Sequence, residues 1–256
     1  MKYTVVMQSC KKFSAICTTM LQSLLPYDFI DEIILATDDE KMDKNVHPKL
    51  KLVLLDQDYG FSSNMIHSLE KCENDKAIIL LDDYVLPSPS NQPVNTKSLV
   101  SDAGKLLDER KDVGCVRFNI FDPSCADFSD VIGSFVKVKD KFAYICSLQP
   151  SLWRVACLKK ILRHGEDAWV AETSGSKRMR DLNIHAYIST SESMAHVNAL
   201  RFGKYIRNKF VDYADSHGLK VPGNMDVFVK LPSKDKKKSE TKVVNLNKYR
   251  SGKKKK

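Results

Sequence analysis

The chain has 256 residues, 43% of them hydrophobic, which allows one sizeable core or two small ones. No apolar run reaches the length of a membrane span. The N-terminal run MKYTVVMQSCKKF is too short in apolar length for a signal peptide, with Lys11 and Lys12 close behind it, so a soluble, cytoplasmic protein without a transmembrane segment is expected. The cysteines number seven and form no CxxC pair. That argues against a disulfide framework or a zinc site and for a reducing compartment.

The formal net charge of +9 is carried entirely by the last residues. From Ser233 onward there are 11 Lys and Arg against 2 Asp and Glu, and the preceding 232 residues are balanced. Residues 233–256 therefore read as a disordered basic tail able to contact anionic surfaces, and residues 1–232 as the folded domain. A balanced body argues against a nucleic-acid groove in the folded part.

In chain order, Tyr3–Met7 reads as a strand. Phe13, Ile16, Cys17, Met20, Leu21, Leu24 and Leu25 then mark one apolar helix face, closed by Pro26. Glu32–Thr37 is a second strand ending at Asp38-Asp39, and Leu50–Leu55 a third. Ser62 or Ser63 can cap a helix carrying Met65, Ile66 and Leu69. The fourth strand, in KAIILLDDYVLP, is apolar on both faces and runs straight into Asp82 and Asp83. Thr96 can cap a helix with Leu99, Val100, Ala103, Leu106 and Leu107 on one face. A strand is expected at Val113–Phe121, a hairpin from Phe135–Val138 and Phe142–Cys146, helices near Arg154–Arg163 and from Glu166, and a last helix at Ala195–Asp215. Strands separated by helical patterns imply an α/β, mainly parallel, Rossmann-like sheet.

Neither GxGxxG nor GxxxxGK[ST] is present, so a dinucleotide-binding dehydrogenase fingerprint and a P-loop are both missing. In open α/β sheets ligands bind at the carboxyl ends of the strands. Two adjacent carboxylates there repel one another and suit a hard cation such as Mg²⁺ or Mn²⁺ carrying a phosphate group. A solvated turn aspartate pair is the plain alternative.

After the expected hairpin comes SLQPSLWRVACLKKILRHGEDAWVAE. With the Asp82-Asp83 strand, this block resembles metal-dependent nucleotide-sugar glycosyltransferases of the GT-A fold. It is most similar to small bacterial and large-DNA-virus sugar transferases with a Gln-Pro-x-x-Trp segment, here Gln149, Pro150 and Trp153, followed by Glu166, Trp169 and Glu172. The resemblance spans roughly Tyr3 to Gly203. It implies a single GT-A domain with a mixed, mainly parallel sheet flanked by helices. It also implies Mn²⁺ or Mg²⁺ as cofactor, a UDP- or GDP-sugar donor and a glycan or glycoprotein acceptor.

Carried over residue by residue, the resemblance puts Asp83 on the metal and Asp82 on the ribose or a metal water. It gives Ser9, Asp38 and Asn64 donor contacts and places Gln149, Trp153 and Trp169 along the sugar and acceptor cleft. His196 becomes a metal ligand, and Arg201 and Lys204 diphosphate partners. For an inverting transfer the proton acceptor is Glu166, favoured over Asp167. Core packing for the tryptophans and helix capping for the two acids are the plain alternatives. A sugar nucleotidyltransferase, or a non-catalytic module of the same fold using its basic tail, are the competing functions. Removing residues 233–256 should leave turnover of a small soluble acceptor nearly unchanged. A large loss would bring the tail into the site.

Overall fold

The computed structural model describes residues 2–93, 95–119, 121–190, 194–196 and 198, with the backbone of 197, 200, 201, 204 and 205. The expected basic tail lies outside the described residues.

The order begins β1 (Tyr3–Gln8), α1 (Ser14–Ser23), β2 (Ile30–Thr37), β3 (Leu50–Leu54), α2 (Phe61–Glu70), β4 (Lys76–Ile79), β5 (Tyr84–Val85) and α3 (Thr96–Glu109). It continues β6 (Val113–Arg117), β7 (Ala126–Ile132), β8 (Phe135–Val138), β9 (Ser151–Arg154), α4 (Val155–Ile161), α5 (Ala168–Asp181), β10 (His185–Ser189), β11 (Val197–Asn198), β12 (Leu200–Arg201) and β13 (Lys204–Tyr205). Nine strands form one sheet in the order β3-β2-β1-β4-β9-β6-β10-β8-β7. The β3–β2–β1–β4 half is parallel throughout. β9 enters antiparallel between β4 and β6, and β10 runs parallel to β6.

Strand side chains alternate between two cores. Val5, Met7, Ile33, Leu35, Ile78 and Leu152 pack with α1 and α3. Val6, Ile34, Ala77, Ile79, Cys115 and Trp153 pack with α2, α4 and α5. This two-faced burial explains why Val5–Met7 of β1, Ile33–Ala36 of β2 and Ala77–Ile79 of β4 are apolar without a break, whereas the edge strand β3 is only partly buried and carries Lys51. Among the described residues no helix is long and apolar enough to cross a membrane, and all seven cysteines are free.

Several sequence expectations are corrected. The hairpin is β7–β8, not Phe135–Val138 with Phe142–Cys146, because Ala126–Ile132 pairs with Phe135–Val138. The start of the expected Ala195–Asp215 helix is extended instead: β11 pairs antiparallel with β5, and β12 with β13. Residues 206–215 lie outside the described residues. Asn95, not Thr96, caps α3, its Oδ1 accepting from Ser98 N at 3.0 Å. Gly60 starts α2 at φ 84°, where a glycine is favoured, and neither Ser62 nor Ser63 caps it.

Trp153 is fully buried, with its indole N–H donating to Ser151 Oγ at 3.0 Å. It joins the core between β4 and β6 instead of lining a cleft, so the expected sugar contact is corrected. Trp153→Ala should cost about 3–5 kcal/mol of stability, checked by chemical denaturation. A cost under ~1 kcal/mol would contradict this packing role.

Candidate active site

The carboxyl ends of β1, β2 and β4 share one edge of the sheet. β9 starts at that edge, since Ile79 pairs with Ser151, and β6 ends there, since Arg117 also pairs with Ser151. Ser9, Asp38, Asp82, Arg117 and Gln149 are thereby brought to one side of the molecule from five separate stretches of chain.

Past Ile79, Leu80 N still donates to Val6 O, and a tight turn then closes from Tyr84 N to Leu81 O at 3.1 Å. Asp82 and Asp83 occupy the turn. Asp82 is 8% exposed and accepts a 2.6 Å hydrogen bond from Ser9 Oγ. Burial pushes its carboxyl up to about 7, the nearby Asp83 charge adds to the rise, and the Ser9 hydroxyl opposes it. Asp83 is half-buried. Ser9 N donates to Ala36 O at 3.0 Å, so this N–H is committed to the sheet while the side chain orients Asp82. Asp38 Oδ1 accepts from Lys11 N at 2.7 Å and fixes the turn after β1. Asn64 is buried, accepting from Tyr59 N at 3.1 Å and donating to Asp58 Oδ1 at 2.8 Å; it holds the loop leading into α2.

The segment after β10 lies across this turn. β11 pairs with β5, and the His196 ring lies 4.3 Å from that of Tyr84. His196 Nδ1 is 3.2 Å from Met194 O, an N–H donor position, and burial lowers its pKa, keeping the ring neutral. Gln92 grips the same segment, donating to Ala195 O at 3.3 Å and accepting from Ala195 N at 2.9 Å. The side chains of Arg201 and Lys204 lie outside the described residues.

Among the described residues no three His, Cys, Asp or Glu side chains converge as a metal cage. Asp82 nevertheless fits a hard divalent cation. It is a buried carboxylate that accepts from a neutral hydroxyl, and a second acid adjoins it.

The two acids at the start of α5 differ sharply. Glu166 accepts two bonds from Arg178, at 2.9 and 2.7 Å, and its backbone carbonyl accepts from Ser62 N. Asp167 is exposed and caps α5, Oδ1 accepting from Val170 N at 2.7 Å. One turn on, Glu172 lies deeper, its Oε1 accepting from Leu148 N at 2.7 Å; burial raises its pKa. Glu172 helps line a cleft of about 400 Å³ together with Arg117, Asn119, Gln149, Tyr144 and Trp169. Arg117 and Glu172 were not among the sequence candidates. The available signals were an arginine closing the apolar run VGCVR and the position of Glu172 inside the recognised block.

No family model and no curated protein matches the chain. Solved structures do. TarS 1-349 from S. aureus, in complex with UDP-GlcNAc, is similar at 18% identity over 80% of this chain, with a TM-score of 0.54. The mannosyltransferase PcManGT from Pyrobaculum calidifontis, in complex with GDP-Man and Mn²⁺, is similar at 16% identity over 82% of this chain, with a TM-score of 0.52. The chain spans 60% and 59% of those two structures. At this level of identity the likeness establishes the fold: the chain is an α/β protein of the GT-A type, with a mixed, mostly parallel sheet flanked by helices.

Because the folded-state pKa of Asp82 lies above its ordinary value, the native state holds the extra proton between about 4 and 7. The metal-free protein should therefore lose stability as pH rises through that window and level off above it. Asp82→Asn removes the slope while leaving Ser9 an acceptor. In chelator, its melting temperature relative to the parent should rise from pH 5 to pH 8 by roughly 4–8 °C, the equivalent of ~2 kcal/mol. A pH-independent difference would contradict the buried, protonated Asp82.

Proposed function

We propose that the chain is a glycosyltransferase that moves a sugar from a nucleotide-diphosphate sugar to an acceptor hydroxyl, with divalent metal and with inversion. The observation that carries this reading is the Asp82-Asp83 turn, with Asp82 buried and Asp83 half-buried, at the carboxyl edge of a GT-A sheet. Asp83 would hold Mn²⁺ or Mg²⁺. Asp82, oriented by Ser9, would hold a metal water or the ribose, with Asp38 toward the nucleoside. His196, neutral and seated on Tyr84 beside the turn, would be the further ligand. A cation bound there neutralises the departing diphosphate.

The sequence alone favours Glu166 as proton acceptor. The bidentate Arg178 contact commits both of its oxygens, which shifts the proposal to Asp167. In the transfer, the acceptor oxygen bonds to the anomeric carbon as its proton passes to the Asp167 carboxylate. The bond from that carbon to the diphosphate oxygen breaks on the opposite face, and the electron pair leaves with the nucleotide.

The test is thermal shift with UDP- and GDP-sugars, with and without Mn²⁺, followed by transfer assays. One donor should stabilise the chain in a metal-dependent way, and Asp83→Ala should remove that dependence. Asp167→Asn should lose about 10²–10⁴-fold in transfer. Glu166→Gln should instead lose about 1–3 kcal/mol of stability while keeping most turnover. Near-normal transfer by Asp167→Asn would remove the inverting mechanism. Release of pyrophosphate instead of a nucleoside diphosphate would identify a nucleotidyltransferase.

A further inference from the structure

One neutral side chain takes the place of a strand beside the segment that carries His196. Gln92 follows a single helical turn at Pro89–Asn91, in the connection from β5 to α3. It is buried, and its amide engages both backbone groups of Ala195: Oε1 accepts from Ala195 N at 2.9 Å and Nε2 donates to Ala195 O at 3.3 Å. A paired strand would supply the same two bonds. Nε2 also donates to Tyr27 Oη at 2.6 Å, and that hydroxyl donates to Pro87 O at 2.5 Å. Both donors and the acceptor of the Gln92 amide are thus used, which fixes its orientation.

These contacts close a ring on the Asp82-Asp83 turn. From Asp83 the chain passes through β5 to Pro87. Hydrogen bonds then lead from Pro87 to Tyr27, Gln92 and Ala195. The next residue, His196, lies with its ring 4.3 Å from that of Tyr84, which directly follows Asp83. The rest of the attachment is slight. β11 and β5 pair over two residues, in a sheet separate from the nine-stranded one. Such a two-stranded pair is marginal by itself. Met194 is buried in the core and anchors the entry to the segment. A side-chain anchor of that kind does not orient the peptide that follows, whereas paired bonds to the N–H and C=O of Ala195 do.

We propose that Gln92 is a positioning residue of the metal site: by holding both backbone groups of Ala195 it sets His196 against the Asp82-Asp83 turn and so tunes affinity for a divalent cation. The inference rests on the metal-dependent reading above, in which Gln92 touches neither the cation nor the substrate. A Gln92 that served the fold alone would change stability and leave cation affinity untouched.

The test is a double-mutant cycle read by metal binding. Mn²⁺ alone is titrated into the full chain near neutral pH, and the free ion is followed by its electron paramagnetic resonance spectrum. Gln92→Leu keeps nearly the same volume and removes all three bonds. It should raise the Mn²⁺ Kd about tenfold, the scale typical of residues that orient a metal ligand, and His196→Ala should do the same. In the His196→Ala background, Gln92→Leu should add less than about twofold, because the two act through one contact. Tyr27→Phe keeps the ring but releases Gln92 from Pro87, and should raise Kd about threefold. An unchanged Kd in Gln92→Leu overturns the inference, whatever happens to its melting temperature. Where Gln92→Leu does not fold, an unchanged Kd in Tyr27→Phe overturns it instead. An effect of Gln92→Leu that persists in full without His196 also overturns it. Asp83→Ala separates the two failures. Parent binding that Asp83→Ala abolishes and Gln92→Leu leaves intact rejects the positioning role alone, and absence of saturable Mn²⁺ binding by the parent rejects the metal-dependent reading with it.

Discussion

The register of β9 is the constraint on which the site depends. This four-residue strand runs against the direction of both neighbours and joins the parallel half of the sheet to the rest. Its side chains alternate, so Leu152 enters one core and Trp153 the other. A slip of one residue would exchange them and drive the indole into the layer under α1 and α3. The same register places Ser151 beside Ile79 and Arg117, so Gln149 and Arg117 are set relative to the Asp82 turn by backbone pairing. A large buried ring that tolerates one orientation is an effective lock on that pairing. Its hydrogen bond to Ser151 Oγ ties the lock to the residue at the edge.

Four acids near this edge show how one functional group is given different properties by its partners. Asp82 is buried with a hydroxyl for company, which favours the protonated form. Glu166 meets a planar cation at both oxygens, so neither is left over for another partner. Asp167 stands exposed at a helix start and accepts one backbone N–H, which leaves its other oxygen facing outward from the helix end. Glu172 gives one oxygen to a backbone N–H inside a cleft. Sequence shows four carboxylates; partners assign what each can do.

The legibility of the chain follows the same division. The parallel half was readable because β1, β2 and β4 carry apolar runs buried on both faces, and the edge strand β3 still shows as the apolar-rich LKLVL. β9 was hidden because SLWR is short and merges into the helical pattern of α4. β10 was hidden because HAYIS directly follows a long helix. The β7 edge strand was missed because ADFSDVI carries two aspartates on a sheet margin, where polar side chains remain solvated. The Asp82-Asp83 pair could be singled out from position alone, at the end of an apolar strand. Choosing between Glu166 and Asp167 required Arg178, which is eleven or more residues away and carries no local signal. The exposure of Trp169 and the burial of Trp153 were equally invisible, since both are tryptophans within one short block.

The segment after β10 shows why periodicity failed near the C-terminal end of the described chain. Met194 to Asn198 satisfies its backbone through partners distant in sequence: Gln92 supplies both a donor and an acceptor to Ala195, in the manner of a neighbouring strand, and β5 supplies the pairing for β11. Gln92 is itself held by Tyr27, whose hydroxyl accepts from Gln92 Nε2 at 2.6 Å and donates to Pro87 O at 2.5 Å. Side-chain bonds that link Pro87, Tyr27, Gln92 and Ala195 thus fix a strap that no local pattern would keep extended. The strap sets His196 on Tyr84, immediately after the two aspartates. Burial at that place lowers the pKa of the imidazole and so favours its neutral form.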